Sequence, residues 1–213
     1  MRRPLVSSLL VAAIAGSALV SSQAIAYGKG DFFTRAGVAK VAPTSDNGDL
    51  VHGTLSTDVS SDNGVAFTFG YRFHDKFGVE LLAASPFDHD ISLTAGDGSH
   101  IGASTDSLPP TLTLQYYPLG GLDSRVQPFL GLGVNYTHFS NEDIEIKGAD
   151  LELDDSWGAA AQVGVDLIIN DHWAATTSIT YADIDSDVEL DGNDIGKVDI
   201  DPVVVMGGIS FYF

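Results

Sequence analysis

Alternation with a period of two residues, sustained in run after run, is the feature that most restricts how this chain can fold. In "GVAFTFGYRF", Val65, Phe67, Phe69, Tyr71 and Phe73 fall on one face and Ala66, Thr68, Gly70 and Arg72 on the other. In "SWGAAAQVGVDLII", Trp157, Ala159, Ala161, Val163, Val165 and Leu167 oppose Gly158, Gln162, Gly164 and Asp166. Successive side chains of a strand point to opposite faces, so this period predicts strands with two unlike sides. Eight such runs can be read, at about 31–43, 64–74, 77–87, 109–118, 125–139, 156–169, 173–184 and 202–213. Short turns (75–76, 119–124, 170–172) alternate with long connections (44–63, 88–108, 140–155, 185–201) that hold most of the Asp. Short turns at one end and long loops at the other predict an all-β fold: an eight-stranded antiparallel transmembrane β-barrel of the outer-membrane type. The short turns are then periplasmic and the long loops extracellular.

The N-terminus, "MRRPLVSSLLVAAIAGSALVSSQAIAYGKG", carries Arg2 and Arg3, a mostly apolar stretch from Leu5 to Val20, and Ala24-Ile25-Ala26 as an A-x-A cleavage site. This order is that of a secretory signal peptide. Ser7, Ser8, Gly16 and Ser17 interrupt the apolar stretch, which falls short of the roughly 20 residues of a spanning helix. The expected organisation is therefore a signal peptide over 1–26 and a transmembrane barrel over 27–213. The leader holds two of the 10 basic residues and none of the 29 acidic ones, so eight oppose 29 in the mature chain, a formal charge of −21. Such a chain is not a nucleic-acid binder, because phosphates are neutralised by Lys and Arg. It has no cysteine and must hold together without disulfides.

A soluble barrel also alternates, but with its polar side in water. Here the face opposite the apolar one is largely Gly, Ala, Ser, Thr, Asn and Gln, which suits a narrow interior better than a solvated exterior. Arg35, Arg72, Glu80 and Asp166 all fall on the non-aromatic side of their strands. Facing lipid at mid-depth, a charge would cost up to ~2–4 kcal/mol, whereas inward charges can neutralise one another as a polar plug of the lumen. Lys40 is on the outward side near a loop end, where its stem can snorkel. Phe32, Phe73, Trp157, Trp173, Tyr181, Phe211 and Phe213 collect at strand ends as interface aromatics. The final run places Val203, Val205, Gly207, Ile209, Phe211 and Phe213 at every second position. A terminal strand of this pattern resembles the signal read by the machinery that inserts outer-membrane barrels.

The segments "FFTRAGVAKVAPT" (32–44), "VELLAASPF" (79–87), "LPPTL" (108–112), "PFLGLGVNYTHF" (128–139) and "DSWGAAAQVGVD" (155–166) closely resemble the OmpW family of outer-membrane proteins. The likeness spans nearly all of the mature chain and is weakest at 44–63 and 185–201. It implies a monomeric eight-stranded barrel with a long, narrow, apolar channel that passes small hydrophobic molecules; some members serve as a colicin receptor. It also implies a constriction at Leu82, with Thr180 where the opposing wall carries a bulky aromatic.

Sorting inward positions by height places Arg35, Arg72, Glu80, Gln115, Tyr117, Gln127, Asp166 and Tyr212 toward the periplasm. Ala66, Leu82, Ala84, Phe139, Ala160, Val204 and Met206 lie toward the loops. The expectation is an apolar outer lumen, with Leu82, Phe139 and Met206 as channel-lining or packing residues, above a plug of Arg35, Arg72, Glu80 and Asp166. A hydrophobic ligand would then leave sideways into the bilayer near Pro86 and Pro109–Pro110, which cannot donate ladder hydrogen bonds.

Two other classes of function compete with a channel. A receptor or structural barrel, filled inside, would act through its acidic extracellular loops. A lipid-modifying enzyme would need a nucleophilic serine beside a base. Ser61, Ser92, Ser99 and Ser104 share loops with histidines, but no G-x-S-x-G elbow exists, so the chain is read as a non-enzyme without cofactor. "FDHDI" (87–91) and "DIDSDVELDGND" (183–194) could attract divalent cations, but the latter lacks the full EF-hand spacing and reads as a solvated loop. No metal site is therefore assigned. The expected partners are outer-membrane lipid, lipopolysaccharide, small hydrophobic ligands and the insertion machinery.

Overall fold

The computed structural model describes residues 28–43, 49–51, 55–84, 87–95, 98, 100–146, 149 and 151–213; the leader expected over 1–26 and Pro86 lie outside them. Fifteen strands occur among the described residues. In chain order they are β1 (Phe32–Ala42), β2 (Asp49–Leu50), β3 (Leu55–Val59), β4 (Asp62–His74), β5 (Phe77–Ala84), β6 (Phe87–Ala95), β7 (His100–Leu108) and β8 (Thr111–Tyr116). They continue with β9 (Val126–Ile144), β10 (Leu151–Leu153), β11 (Ser156–Ile168), β12 (Trp173–Ala182), β13 (Asp185–Leu190), β14 (Asn193–Asp199) and β15 (Val203–Tyr212).

Eight of them close on themselves in the order β9-β11-β12-β15-β1-β4-β5-β8, with β8 returning to β9. Every neighbouring pair is antiparallel. These eight match the eight runs of alternation, most ends lying within three residues of the expected ones. Closure is completed by the last strand on the first, with Phe33 opposite Tyr212 and Gly37 opposite Gly208. Phe32 and Phe213 exchange both backbone hydrogen bonds at 3.0 Å. Among the described residues the wall is thus closed strand to strand, as hydrocarbon demands.

The outward face is a belt of exposed apolar side chains, among them Val38, Val65, Phe67, Phe69, Leu81, Leu112, Leu130, Val163, Ile179, Val205 and Ile209; Leu132 and Trp157 are each 72 % exposed. In water such a continuous surface would drive aggregation, and in lipid it is the solvated side. At the short-turn end, aromatic rings pack against one another, tilted or stacked: Phe32 against Tyr71 at 4.6 Å, Trp173 against Phe211 at 4.8 Å, Phe211 against Phe213 at 5.8 Å. At the other end Trp157 lies against Tyr136, 4.8 Å between centroids. No helix among the described residues is long and apolar enough to cross a membrane.

The long connections differ from the expected loops. They form a second sheet, β10-β13-β14-β2-β3-β6-β7, joined to the wall through the upper half of the 19-residue β9. Its inner side is an apolar core of Leu50, Val59, Ile91, Leu93, Leu151, Leu153, Ile184, Val188, Val198 and Ile200, with Phe139 and Ala182 from the barrel beneath. The alternation that builds it is present in segments such as "DSDVEL", where Ser186 and Val188 are buried between exposed acids. Dense Asp and Gly dilute that signal below what a composition-weighted reading detects.

Candidate functional site: a plugged lumen and the cavity above it

The inward positions of the lower wall assemble one hydrogen-bonded cluster. Arg35 points inward from β1, fully buried, and its Nη2 donates to Asp166 Oδ2 at 2.7 Å while Nε donates to Oδ1 at 3.3 Å. Its Nη1 pairs with Glu80 from β5, and Nη2 also reaches the Tyr117 hydroxyl at 3.2 Å. Tyr212 donates to Asp166 Oδ2 at 2.6 Å. On the other side Gln115 and Gln162 donate to Glu80 Oε1 at 2.9 and 3.1 Å, and Gln115 also donates to Gln162 at 2.7 Å. Both carboxylates are therefore held by several donors, the condition under which buried charge is tolerated.

Two rings clamp the guanidinium: Phe33 and Phe129 each lie 4.4 Å from Arg35 Cζ, a cation–π sandwich. Glycines make room for both rings. A Cβ on Gly70 would sit 2.1 Å from the Phe33 ring, and one on Gly164 would sit 2.3 Å from Phe129. Phe33 and Phe129 were not among the residues singled out from sequence, although each keeps parity with an inward neighbour, Arg35 or Gln127.

Of the four expected plug charges, Arg35, Glu80 and Asp166 are brought together and Arg72 stands apart. Arg72 lies one level lower, fully buried, with its Cζ 3.8 Å above the Tyr117 ring and its Nη2 donating to the Asp75 carbonyl. Its Nε and Nη1 have no hydrogen-bond partner among the described residues.

Above the plug is a small cavity of about 30 Å³, room for about two waters. Leu82, Ala39, Val41, Ala66, Val204, Ala182, Ile184 and Ile200 line it together with a polar stripe of Ser107, Thr111, Asn135, Thr137 and Thr180. Leu82 and Thr180 thus share the cavity. Met206 packs below it with Ala39 and Ala66, and Phe139 belongs to the extracellular core. The expected all-apolar outer half is corrected by that polar stripe. Sequence reading missed Asn135 and Thr137 because β-branched and amide residues on an inward face look the same in a filled or an open barrel.

The stripe is largely satisfied within itself. Asn135 Nδ2 donates to Thr111 Oγ1 at 2.9 Å and approaches the Pro109 and Pro110 carbonyls at 3.4 and 3.5 Å, while Thr137 donates to Asn135 Oδ1 at 2.7 Å. Thr111 donates to the Pro109 carbonyl at 3.1 Å.

Polar clusters also ring the outer rim. Tyr136 donates to Asp155 at 2.6 Å and His138 bonds its other oxygen at 2.7 Å, contacts that hold the Asp155 carboxyl below its ordinary range. Asp183 is pushed the other way, by partial desolvation and by Asp201 and Asp185 beside it. His100 bonds Thr94 at 3.0 Å on the same rim, whereas at the opposite, short-turn end His74 accepts from the Lys76 amide at 3.1 Å. The side chains of 87–89 lie outside the described residues. Among the described residues no group of three or more acids or histidines is arranged to hold a metal.

Residues 28–213 match the family model described as the OmpW family. Outer membrane protein W of Salmonella typhi is 41 % identical over 211 residues, covering 95 % of this chain and 98 % of that one. Outer membrane protein W of Vibrio cholerae is 38 % identical over 207 residues, covering 92 % and 95 %. Among solved structures, the crystal structure of OprG from Pseudomonas aeruginosa superposes with a TM-score of 0.81 at 38 % identity, covering 90 % of this chain and 99 % of that chain.

Proposed function

Since the chain belongs to the OmpW family, multi-pass β-barrels of the bacterial outer membrane, we propose that it passes small hydrophobic molecules, which enter the outer lumen and leave sideways into the bilayer. The observation that carries this reading is where the cavity lies: above the Arg35–Glu80–Asp166 cluster and against Pro109, in a stretch of wall where Pro109 and Pro110 offer no N–H. The β5–β8 ladder pairs Leu82 with Thr111 and the β6–β7 ladder pairs Phe87 with Ser107, on either side of the two prolines. Leu82, Ser107, Pro109 and Thr111 all line the cavity.

The test is uptake of a fluorescent hydrophobic probe by liposomes carrying the refolded protein, alongside release of small polar solutes. Movement of the hydrophobic probe alone supports the reading, and silence toward every probe defeats it. A second reading, a receptor or structural barrel acting through its acidic extracellular sheet, is favoured by the tight filling of the outer core, whose residual void is about 10 Å³.

The remaining assignments belong to the same proposal. Residues 1–26 are a cleaved leader and the mature protein is a monomer without cofactor, metal or catalytic role. Its terminal strand is read by the insertion machinery, and lipid and lipopolysaccharide surround it. Trp157, Trp173 and Phe213 are its interface aromatics, and Leu82 lines the cavity, with Met206 and Phe139 packing below and above.

A further inference from the structure

We propose that Trp157, Tyr136, His138 and Asp155 form a site on the outside of the wall for the uncharged sugar headgroup of an outer-leaflet glycolipid. The inference needs the outer-membrane placement of the barrel and not the channel, so a barrel that passes nothing leaves it untouched. On β9 the outward residues Leu130, Leu132, Val134, Tyr136 and His138 turn from apolar to polar at Tyr136. Across the ladder Tyr136 is opposite Trp157 of β11. The group therefore stands at the extracellular end of the lipid-facing belt, where acyl chains give way to headgroups. In the membrane this patch of wall is covered by the headgroup layer of the outer leaflet.

The four side chains make a floor and a rim. The Trp157 indole rests against the Tyr136 ring, 4.8 Å between centroids and tilted by 41°, yet it is 72 % exposed. Most of its surface is bare. Asp155 stands beside it, accepting from the Tyr136 hydroxyl at Oδ2 (2.6 Å) and from His138 Nδ1 at Oδ1 (2.7 Å). The Asp155 and His138 side chains remain 43 % and 56 % exposed. Each carboxylate oxygen keeps a second lone pair, and the imidazole keeps Nε2 on its far side, so the cluster is held in place and still offers acceptors.

A tryptophan that only anchored the barrel would call for no such acceptors. A bare aromatic face beside fixed acceptors matches a sugar ring, whose C–H groups stack on the indole while its hydroxyls donate to carboxylate and imidazole. Charge selects the kind of headgroup. On the neighbouring strand the Asp183 amide donates to the Ala159 carbonyl at 2.9 Å, and its carboxyl lies beside Asp201. A phosphate would meet carboxylates on both sides of Trp157, whereas an uncharged, hydroxyl-rich headgroup meets acceptors.

The chain has two tryptophans, so in full-length Trp173→Phe the emission reports Trp157 alone. That protein is placed in phosphatidylcholine vesicles containing EDTA and rising fractions of digalactosyl diacylglycerol, lipopolysaccharide or phosphatidic acid. The expected result is a saturable change in Trp157 emission with the first two and none with the third. Asp155→Ala and Tyr136→Phe should each raise the half-saturating fraction by roughly fivefold, the loss of about one hydrogen bond. Tyr136→Phe keeps the ring under Trp157, so it reads the cluster even if Asp155→Ala fails to fold.

An equal or unsaturable response to all three lipids overturns the inference and leaves Trp157 an interface anchor only. A response to phosphatidic acid and lipopolysaccharide without one to the galactolipid overturns it in favour of phosphate contact. Silence toward lipopolysaccharide overturns it as well, since that glycolipid is the one this face meets. A sugar-specific response that Tyr136→Phe leaves unchanged places the site away from this cluster and defeats the assignment.

Discussion

Arg35 and Asp166, 131 residues apart in sequence, meet through two hydrogen bonds of 2.7 and 3.3 Å in the centre of the barrel. With Glu80 on the other side of the guanidinium, they form a buried charged cluster inside the barrel. A side chain that bridges three separate wall strands also ties β1, β5 and β11 together.

Arg35→Met should therefore destabilise the barrel by about 3–5 kcal/mol, because it leaves two buried carboxylates without their cation. Adding Glu80→Gln and Asp166→Asn to Arg35→Met should recover much of the loss. Urea unfolding in lipid vesicles reads both, and a single variant as stable as the parent would show that the cluster does not hold the wall.

Leu82→Arg places a long cation in a cavity of about 30 Å³. It should abolish hydrophobic-probe uptake while leaving the barrel folded, since the guanidinium can reach the polar stripe of Thr111, Asn135 and Thr137. Undiminished uptake, with heat-modifiable mobility on gels confirming the fold, would separate Leu82 from the route.

Phe139→Ala opens a void in the extracellular core that Phe139 shares with Leu151, Leu153 and Ile184. Removing a buried phenylalanine costs about 3–5 kcal/mol where the site cannot collapse. The expected outcome is faster exchange of amides in β10 and β13 and faster probe entry, with the exchange of β1 and β15 unaltered. Slower entry would contradict an outer core that closes the mouth.

Asp183 has a folded-state carboxyl raised above its ordinary range by partial desolvation and by Asp201 and Asp185. A raised carboxyl binds its proton more readily in the folded state. Its contribution is thus most favourable below the ordinary Asp pKa and is lost as pH rises through the raised value. Asp183→Asn should make the β13–β14 hairpin more resistant to opening at pH 7 and change nothing at pH 3. Exchange of the Ile184 and Ile200 amides checks this, and an equal effect at both pH values would exclude the charge as the cause.

What the sequence by itself determined is the wall. Period-two alternation places Val65, Phe67 and Phe69 outside and Ala66, Thr68 and Arg72 inside without any tertiary information, because a strand has only two faces. The same parity makes Arg35, Glu80 and Asp166 inward. Lipid then leaves closed antiparallel pairing as the arrangement that satisfies every backbone group. Tertiary structure decided the rest. Which inward residues meet depends on the stagger between strands that are distant in sequence, so the Phe33–Arg35–Phe129 sandwich and the separation of Arg72 from the ion pairs were not legible. Nor were the contacts of Asn135 with Pro109 and Thr111, which need a side chain of β9 set against the chain entering β8. The extracellular sheet was hidden for a different reason: its strands alternate, but among so many acids and glycines the pattern becomes decisive only once β6, β7, β13 and β14 are paired and their inner sides share one core.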